Sequence, residues 1–184
     1  MIKKSFTQSG FLRYVENILR CHPISYLFAR KLSKFLKIFE SDAKGLKKIK
    51  FNKNLNCIDV GASDGVFANY ILKHLKVNSI DCYEPNPKYI KQLKKIKNVD
   101  LTIHETGLGS TSRTEKIFLP YYRFFKKKFY LDAYTFPSYN NCKKQVELDF
   151  IFKKNIFIEE RSILISNNIQ LNKNIDLIKI DING

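Results

Sequence analysis

At 184 residues and 44% hydrophobic composition, the chain suits one domain with a real core, one that buries about 70% of its unfolded surface. No apolar run approaches the about 20 residues of a membrane span, and residues 1–10 lack the unbroken apolar stretch of a signal peptide, so a cytoplasmic chain is expected. A formal net charge of +16 admits nucleic acid as a partner, but the excess is lysine spread through a chain also rich in isoleucine and asparagine, a biased background that does not favour that reading.

The four cysteines, at 21, 57, 82 and 142, form no C-x-x-C pair, and the histidines at 22, 74 and 104 are scattered, so no metal site is expected. Cys57 and Cys82 fall in strand-like runs, where small, buried, reduced thiols are expected.

Residues 1–50 read as a helical segment preceding the main domain, 51–184. One helix spans about Phe11 to Arg20 and stops before Pro23; a second runs from about Ser25 to Phe39. Leu27, Phe28, Leu32, Phe35, Leu36 and Phe39 line one side of it, and Arg30, Lys31, Lys34 and Lys37 the rest. The expectation is that this stripe packs on the domain that follows. Contact with an anionic membrane surface and dimerisation are the alternatives.

The run ending Cys57-Ile58-Asp59-Val60 passes into Gly61-Ala62-Ser63-Asp64-Gly65 and then into Val66, Phe67, Tyr70, Ile71, His74 and Leu75, one face of a 3.6-period helix. Ser79 to Tyr83 is the next strand and delivers Glu84 at its end. Asn86-Pro87 suits a helix start, asparagine capping and proline opening, with Tyr89, Ile90 and Leu93 facing the sheet. Val99 to His104 is the third strand, with His104 structural, and Gly107-Leu108-Gly109 follows.

Such β-α-β units place Asp59 and Glu84 at the carboxyl ends of neighbouring parallel strands, where open α/β sheets bind nucleotide-like ligands. Gly61 and Gly65 let a ligand approach the backbone, and the helix start favours a negative group. Ser63 and Val66 stand where a dinucleotide fingerprint needs glycine, and no Gly-Lys-Ser/Thr closes a phosphate loop. Two carboxylates and a short backbone nest suit a ligand with an amino group and a ribose but no pyrophosphate. S-adenosyl-L-methionine fits that description.

Residues 111–174 read as a β-rich insertion. Lys116 to Tyr122 and parts of Phe129 to Phe136 and Ile156 to Ile165 look like strands, with Asn140-Asn141 and Asn167-Asn168 as turns. Tyr121, Tyr122, Phe136 and Tyr139 are candidates for an acceptor pocket or lid, although the insertion's own small core is the better expectation. Lys126-Lys127-Lys128, flanked by Phe124, Phe125, Phe129 and Tyr130, reads as a solvated turn, or else as a grip on single-stranded nucleic acid. Ile175 to Asp181 is a strongly apolar fourth core strand.

Asp59-Val-Gly-Ala-Ser-Asp-Gly65, Tyr83-Glu-Pro-Asn-Pro87, Gly107-Leu-Gly109 and Ile178-Lys-Ile-Asp-Ile-Asn-Gly184 stand in the order and rough spacing of FkbM-type methyltransferases, which the chain resembles over roughly residues 55–184. The resemblance implies a class I, Rossmann-like, mostly parallel sheet, with the N-terminal helices before it and the insertion before strand 4. It implies S-adenosylmethionine-dependent methyl transfer, usually to a hydroxyl of a sugar, glycan or secondary metabolite. Asp59, Gly61, Ala62, Ser63, Asp64, Gly65, Glu84, Pro85 and Asn86 would meet the cofactor, with Gly107 and Leu108 beside the adenine. Asp181 would be the catalytic nominee, as base, acceptor ligand or cofactor contact. The family has Leu-Asp where this chain reads Ser162-Ile163-Leu164-Ile165, and Glu where it has Asn183. Its sheet order, 3-2-1-4-5-7-6, would put strands 5 to 7 after residue 184 and leave strand 4 an exposed edge. The resemblance therefore implies a chain truncated after strand 4, or one whose edge is covered by its own insertion or by another chain in a dimer. Two other readings stay open, an inactive cofactor-binding remnant and a basic nucleic-acid-binding protein or RNA methyltransferase.

Overall fold

In the computed structural model the elements run β1 (Leu55–Val60), α1 (Val66–His74), β2 (Val77–Tyr83), α2 (Pro87–Leu93), β3 (Asp100–His104), β4 (Gly107–Leu108), β5 (Arg113–Phe124), β6 (Lys127–Tyr130), α3 (Tyr139–Asp149), β7 (Ile156–Ser166) and β8 (Leu177–Ile180). The structure describes residues 22–28, 45, 46, 48–97, 99–131, 136–150, 154–169 and 174–181. The expected helix over Phe11 to Arg20 and most of that over Ser25 to Phe39 lie outside the described residues; residues 23–28 are helical.

The fold is α/β. One sheet has the order β3-β2-β1-β8, and every pairing in it is parallel. Two short crossovers, each carrying a helix, build it: β1-α1-β2 and β2-α2-β3. The second sheet is mixed, in the order β4-β7-β5-β6, with β4 and β7 parallel and β5 and β6 antiparallel. The chain divides into two units, Phe39–Ile117 with Arg161–Gly184, and Met1–Ile38 with Phe118–Glu160.

In the first of these units, strand alternation sorts the core. Leu55, Cys57, Ile80 and Cys82 share one face of the parallel sheet and pack with Ala68, Tyr70 and Ile71 of α1 and Leu93 of α2. Ile58, Val60 and Tyr83 form a smaller cluster with Leu108 and Ile175. Tyr70 and Ile71 lie on the helix face expected for them, but Val66 is 43% exposed, because the first turn of α1 begins at the glycine loop. Burial, and then the nearby Asp176 and Asp59 carboxylates, push the Cys57 thiol up to about 11. Burial followed by Asp59 and Asp81 pushes that of Cys82 up to about 12. Both are free, buried thiols, as expected for residues that serve packing.

In the second unit, Tyr122, Leu131, Val146 and Phe150 pack together with Tyr26, Leu27 and Ile156. Tyr121 and Tyr122 are buried there, and Tyr139 is half exposed. The expected turn at Asn140-Asn141 is instead the first turn of α3, whose cap Ser138 accepts a hydrogen bond from the Asn141 amide at 3.2 Å. Cys142 and Val146, four residues apart, give that helix its buried side, continued by the buried cap residue Phe150, and this apolar spacing outweighs the turn tendency of two adjacent asparagines.

Candidate functional site

At the carboxyl edge of the parallel sheet, the chain leaves β1 through a turn that only a glycine-rich sequence closes easily. Gly61 and Gly65 have φ of 74° and 80°, and Ser63 has φ of 49°, all in the left-handed region that costs a side-chain-bearing residue. A Cβ on Gly65 would lie 2.8 Å from Ile96 Cδ1 and 3.1 Å from Leu93 Cδ2. Gly65 therefore serves both conformation and close approach to the end of α2. The amides of Gly61 and Ala62 donate to the Tyr83 carbonyl at 2.9 and 3.2 Å, which fixes the turn beside the end of β2.

Glu84 ties this edge together. Its Oε2 accepts from the Ser63 amide at 2.7 Å, and its Oε1 accepts from the Asn86 amide at 2.8 Å. Asn86 in turn caps α2, accepting from the Lys88 amide at 3.1 Å ahead of Pro87, as the dipeptide predicts. Burial pushes the Glu84 carboxyl up from its ordinary range, with the Asn86 and Ser63 amides pulling it back and Asp59 adding to the rise. An ionised carboxylate has about four lone-pair sites, so two remain for a ligand's hydroxyls. The Asn86 side-chain nitrogen is buried without a hydrogen-bond partner among the described residues.

The parallel register sets Asp59 of β1 opposite Lys179 of β8. Their charged atoms lie 3.0 Å apart, with Asp59 fully buried and Lys179 22% exposed. This is an ion pair rather than an aligned hydrogen bond, since neither Asp59 oxygen has a hydrogen-bond partner among the described residues. The Lys179 ammonium donates instead to the Gly61 carbonyl at 2.9 Å and lies 3.7 Å from the Asp181 carboxylate. Burial drives the Asp59 carboxyl upward, Lys179 opposes this, and Asp181 adds to it.

Lys179 is the site residue that sequence reasoning did not single out. Its signal was a cation two residues before Asp181 in an otherwise apolar strand, on the face that parity shares with Asp181. Asp181 itself follows β8, is 69% exposed, and donates its amide to the Val60 carbonyl at 3.0 Å. Ala62, Ser63 and Asp64 lie in the glycine turn, and Pro85 lies between Glu84 and the cap. Gly107 and Leu108 are in β4, paired with Ile165 and Ser166 of β7. Added Cβ atoms on Gly107 and Gly109 would come within 2.7 and 2.8 Å of Ile165, so both glycines admit that side chain. His104 lies 3.1 Å from Asp81 and stacks on Tyr83 at 4.2 Å between ring centroids, a structural placement.

A carboxyl whose folded-state pKa is raised favours the folded state while protonated. That stabilisation is fully present below the unfolded value, about 4.3 for glutamate, and is lost as pH rises through the higher folded value. Glu84→Gln cannot ionise, so its stability relative to the parent is expected to improve as pH rises from about 4 toward neutral. Urea unfolding of both proteins across that range measures it; a pH-independent difference would show that Glu84 titrates alike in both states.

The site is a carboxylate-lined edge of a parallel sheet with a glycine turn at its centre, and the protein is accordingly an α/β protein whose parallel sheet gathers Asp59, Glu84, Lys179 and Asp181 at its carboxyl edge. Comparison with family models, curated proteins and solved structures finds no match.

Proposed function

We propose that the chain is an S-adenosylmethionine-dependent methyltransferase with a Rossmann-like, class I sheet of the FkbM type. The observation that carries the reading is Glu84, whose carboxylate closes the Gly61–Gly65 turn onto the cap of α2 while keeping lone pairs to spare. The β3-β2-β1-β8 order is the 3-2-1-4 beginning of the sheet such enzymes share, and supports it further.

The donors present fit this cofactor. Glu84 offers acceptors for ribose hydroxyls, the unpartnered Asn86 amide nitrogen offers a donor, and the glycine turn leaves the backbone approachable. When bound, the cofactor supplies a methyl group made electrophilic by a sulfonium centre. The protein's task is then mainly positioning of an acceptor oxygen along the line of displacement and removal of its proton. Asp181, the exposed carboxylate at this edge, is the nominee for that proton. Asp59 acts at one remove: fully buried, it holds Lys179, and Lys179 holds the Gly61 carbonyl and hence the turn. The acceptor class is a hydroxyl of a sugar, glycan or secondary metabolite.

Calorimetric titration of the chain with S-adenosylhomocysteine tests the proposal. Micromolar binding is expected, corresponding to about −8 kcal/mol. Absence of heat from a folded, monomeric sample would overturn it.

A further inference from the structure

The β5–β6 hairpin ends in a sequence that a solvated turn does not explain. Phe124 pairs with Lys127 across the ladder, so Phe125 and Lys126 form a two-residue tip. Asparagine or glycine is the usual choice for such a tip, yet here Phe125 takes φ of 52° and is 85% exposed. A bulky residue held in the left-handed region costs the fold stability, and the edge-on contact with Phe124 leaves most of the Phe125 ring in solvent. Phe124 and Phe129 are also exposed, at 46% and 39%.

Ladder parity separates the two faces of the hairpin. Tyr121, Arg123, Lys128 and Tyr130 share one face, and their charges are used internally: Lys128 pairs with Glu159 at 2.8 Å, and Arg123 lies over the Phe157 ring at 4.5 Å. Tyr122, Phe124, Lys127 and Phe129 share the other. Tyr122 is buried in its cluster, and the apolar face continues past it into exposed Phe124 and Phe129. Lys126 and Lys127 are exposed, with no ion-pair partner among the described residues. From Lys116 to Leu131 the chain carries Lys116, Arg123, Lys126, Lys127 and Lys128 and no acidic residue. Phe124, Phe125, Lys126, Lys127 and Phe129 frame an open recess of about 510 Å³.

We propose that this hairpin tip docks on an anionic lipid surface, with Phe125, Phe124 and Phe129 entering the acyl boundary and Lys126 and Lys127 meeting the phosphate headgroups. Aromatic residues at the apolar boundary with lysines beside them are the chemistry of interfacial binding. A single-stranded nucleic acid is disfavoured by the rings themselves. Phe124 is stacked on Tyr122 and meets Phe125 edge-on at 4.7 Å, so Phe124 and Phe125 do not stand as a row of parallel faces for successive bases. The proposal stands independently of the enzymatic reading.

The chain contains no tryptophan, so Phe125→Trp makes a single fluorescent reporter at the tip. Its emission should shift to the blue on adding vesicles of phosphatidylcholine with phosphatidylserine, and not with phosphatidylcholine alone. In co-sedimentation Phe125→Ser should weaken binding about tenfold and Lys127→Ser about fivefold, while Leu148→Ser, on an exposed site of α3, leaves it unchanged. An unshifted emission with anionic vesicles would overturn the proposal, as would equal loss in Leu148→Ser and Phe125→Ser. A shift with oligouridylate but not with vesicles, or one that depends only on protein concentration, would assign the tip to RNA or to a second copy instead.

Discussion

Lys179→Met is expected to destabilise the chain by about 3 kcal/mol at neutral pH, because it leaves a buried carboxylate without its cation. Asp59 is fully buried, and its ion pair with Lys179 spans 3.0 Å. Burial already outweighs that partner in setting the carboxyl's pKa, so the site carries a desolvation cost even when paired. Methionine keeps the volume of the side chain but removes the charge and the hydrogen bond to the Gly61 carbonyl. For a chain of this size the loss corresponds to a melting temperature lower by about 6–12 °C.

Two further readouts identify the cause. Without Lys179 the folded-state pKa of Asp59 rises further, and the protein escapes the cost by binding a proton. The deficit of the variant should therefore be full above that raised value and shrink as pH falls toward the ordinary aspartate value of about 3.9. Adding Asp59→Asn should recover most of the stability, since removing both charges costs far less than removing one. A deficit that ignores pH and the second substitution would instead assign Lys179 a packing role.

That pair also shows where sequence reading stops. Asp59, Gly61, Gly65, Glu84, Asn86 and Pro87 were legible because turns, caps and strand ends are local: each is fixed by backbone chemistry within a few residues. The partner of Asp59 lies 120 positions away, and only the parallel register of β1 and β8 brings Lys179 opposite it. Likewise, the close approach of Ile165 to Gly107 and Gly109 joins residues far apart in the sequence, and no local pattern announces it. The missed helix α3 is a different failure. Cys142 and Val146 stand at helical spacing, but the helix opens on two adjacent asparagines that by themselves read as a turn. The aromatic and β-branched runs within 116–122 and 156–165, by contrast, mark β5 and β7 locally.

Glu84→Ala tests the functional reading most directly, and is expected to weaken S-adenosylhomocysteine binding by about 1–3 kcal/mol, or about fivefold to more than a hundredfold. The carboxylate would give acceptors to the ribose and, through the Ser63 and Asn86 amides, set the turn that the rest of the ligand meets. Alanine removes both. The fold itself should lose less, because the two orphaned amides cost stability while the desolvated carboxylate that burial penalises is gone. Glu84→Gln separates the two roles. Its amide retains one acceptor oxygen and its length, so one edge of the turn stays tied while ribose recognition loses its charge. Affinity intermediate between parent and alanine variant would show direct recognition. Affinity equal to that of the parent in both variants, with the parent binding normally, would remove Glu84 from the cofactor site and leave its carboxylate as a latch for the glycine turn alone.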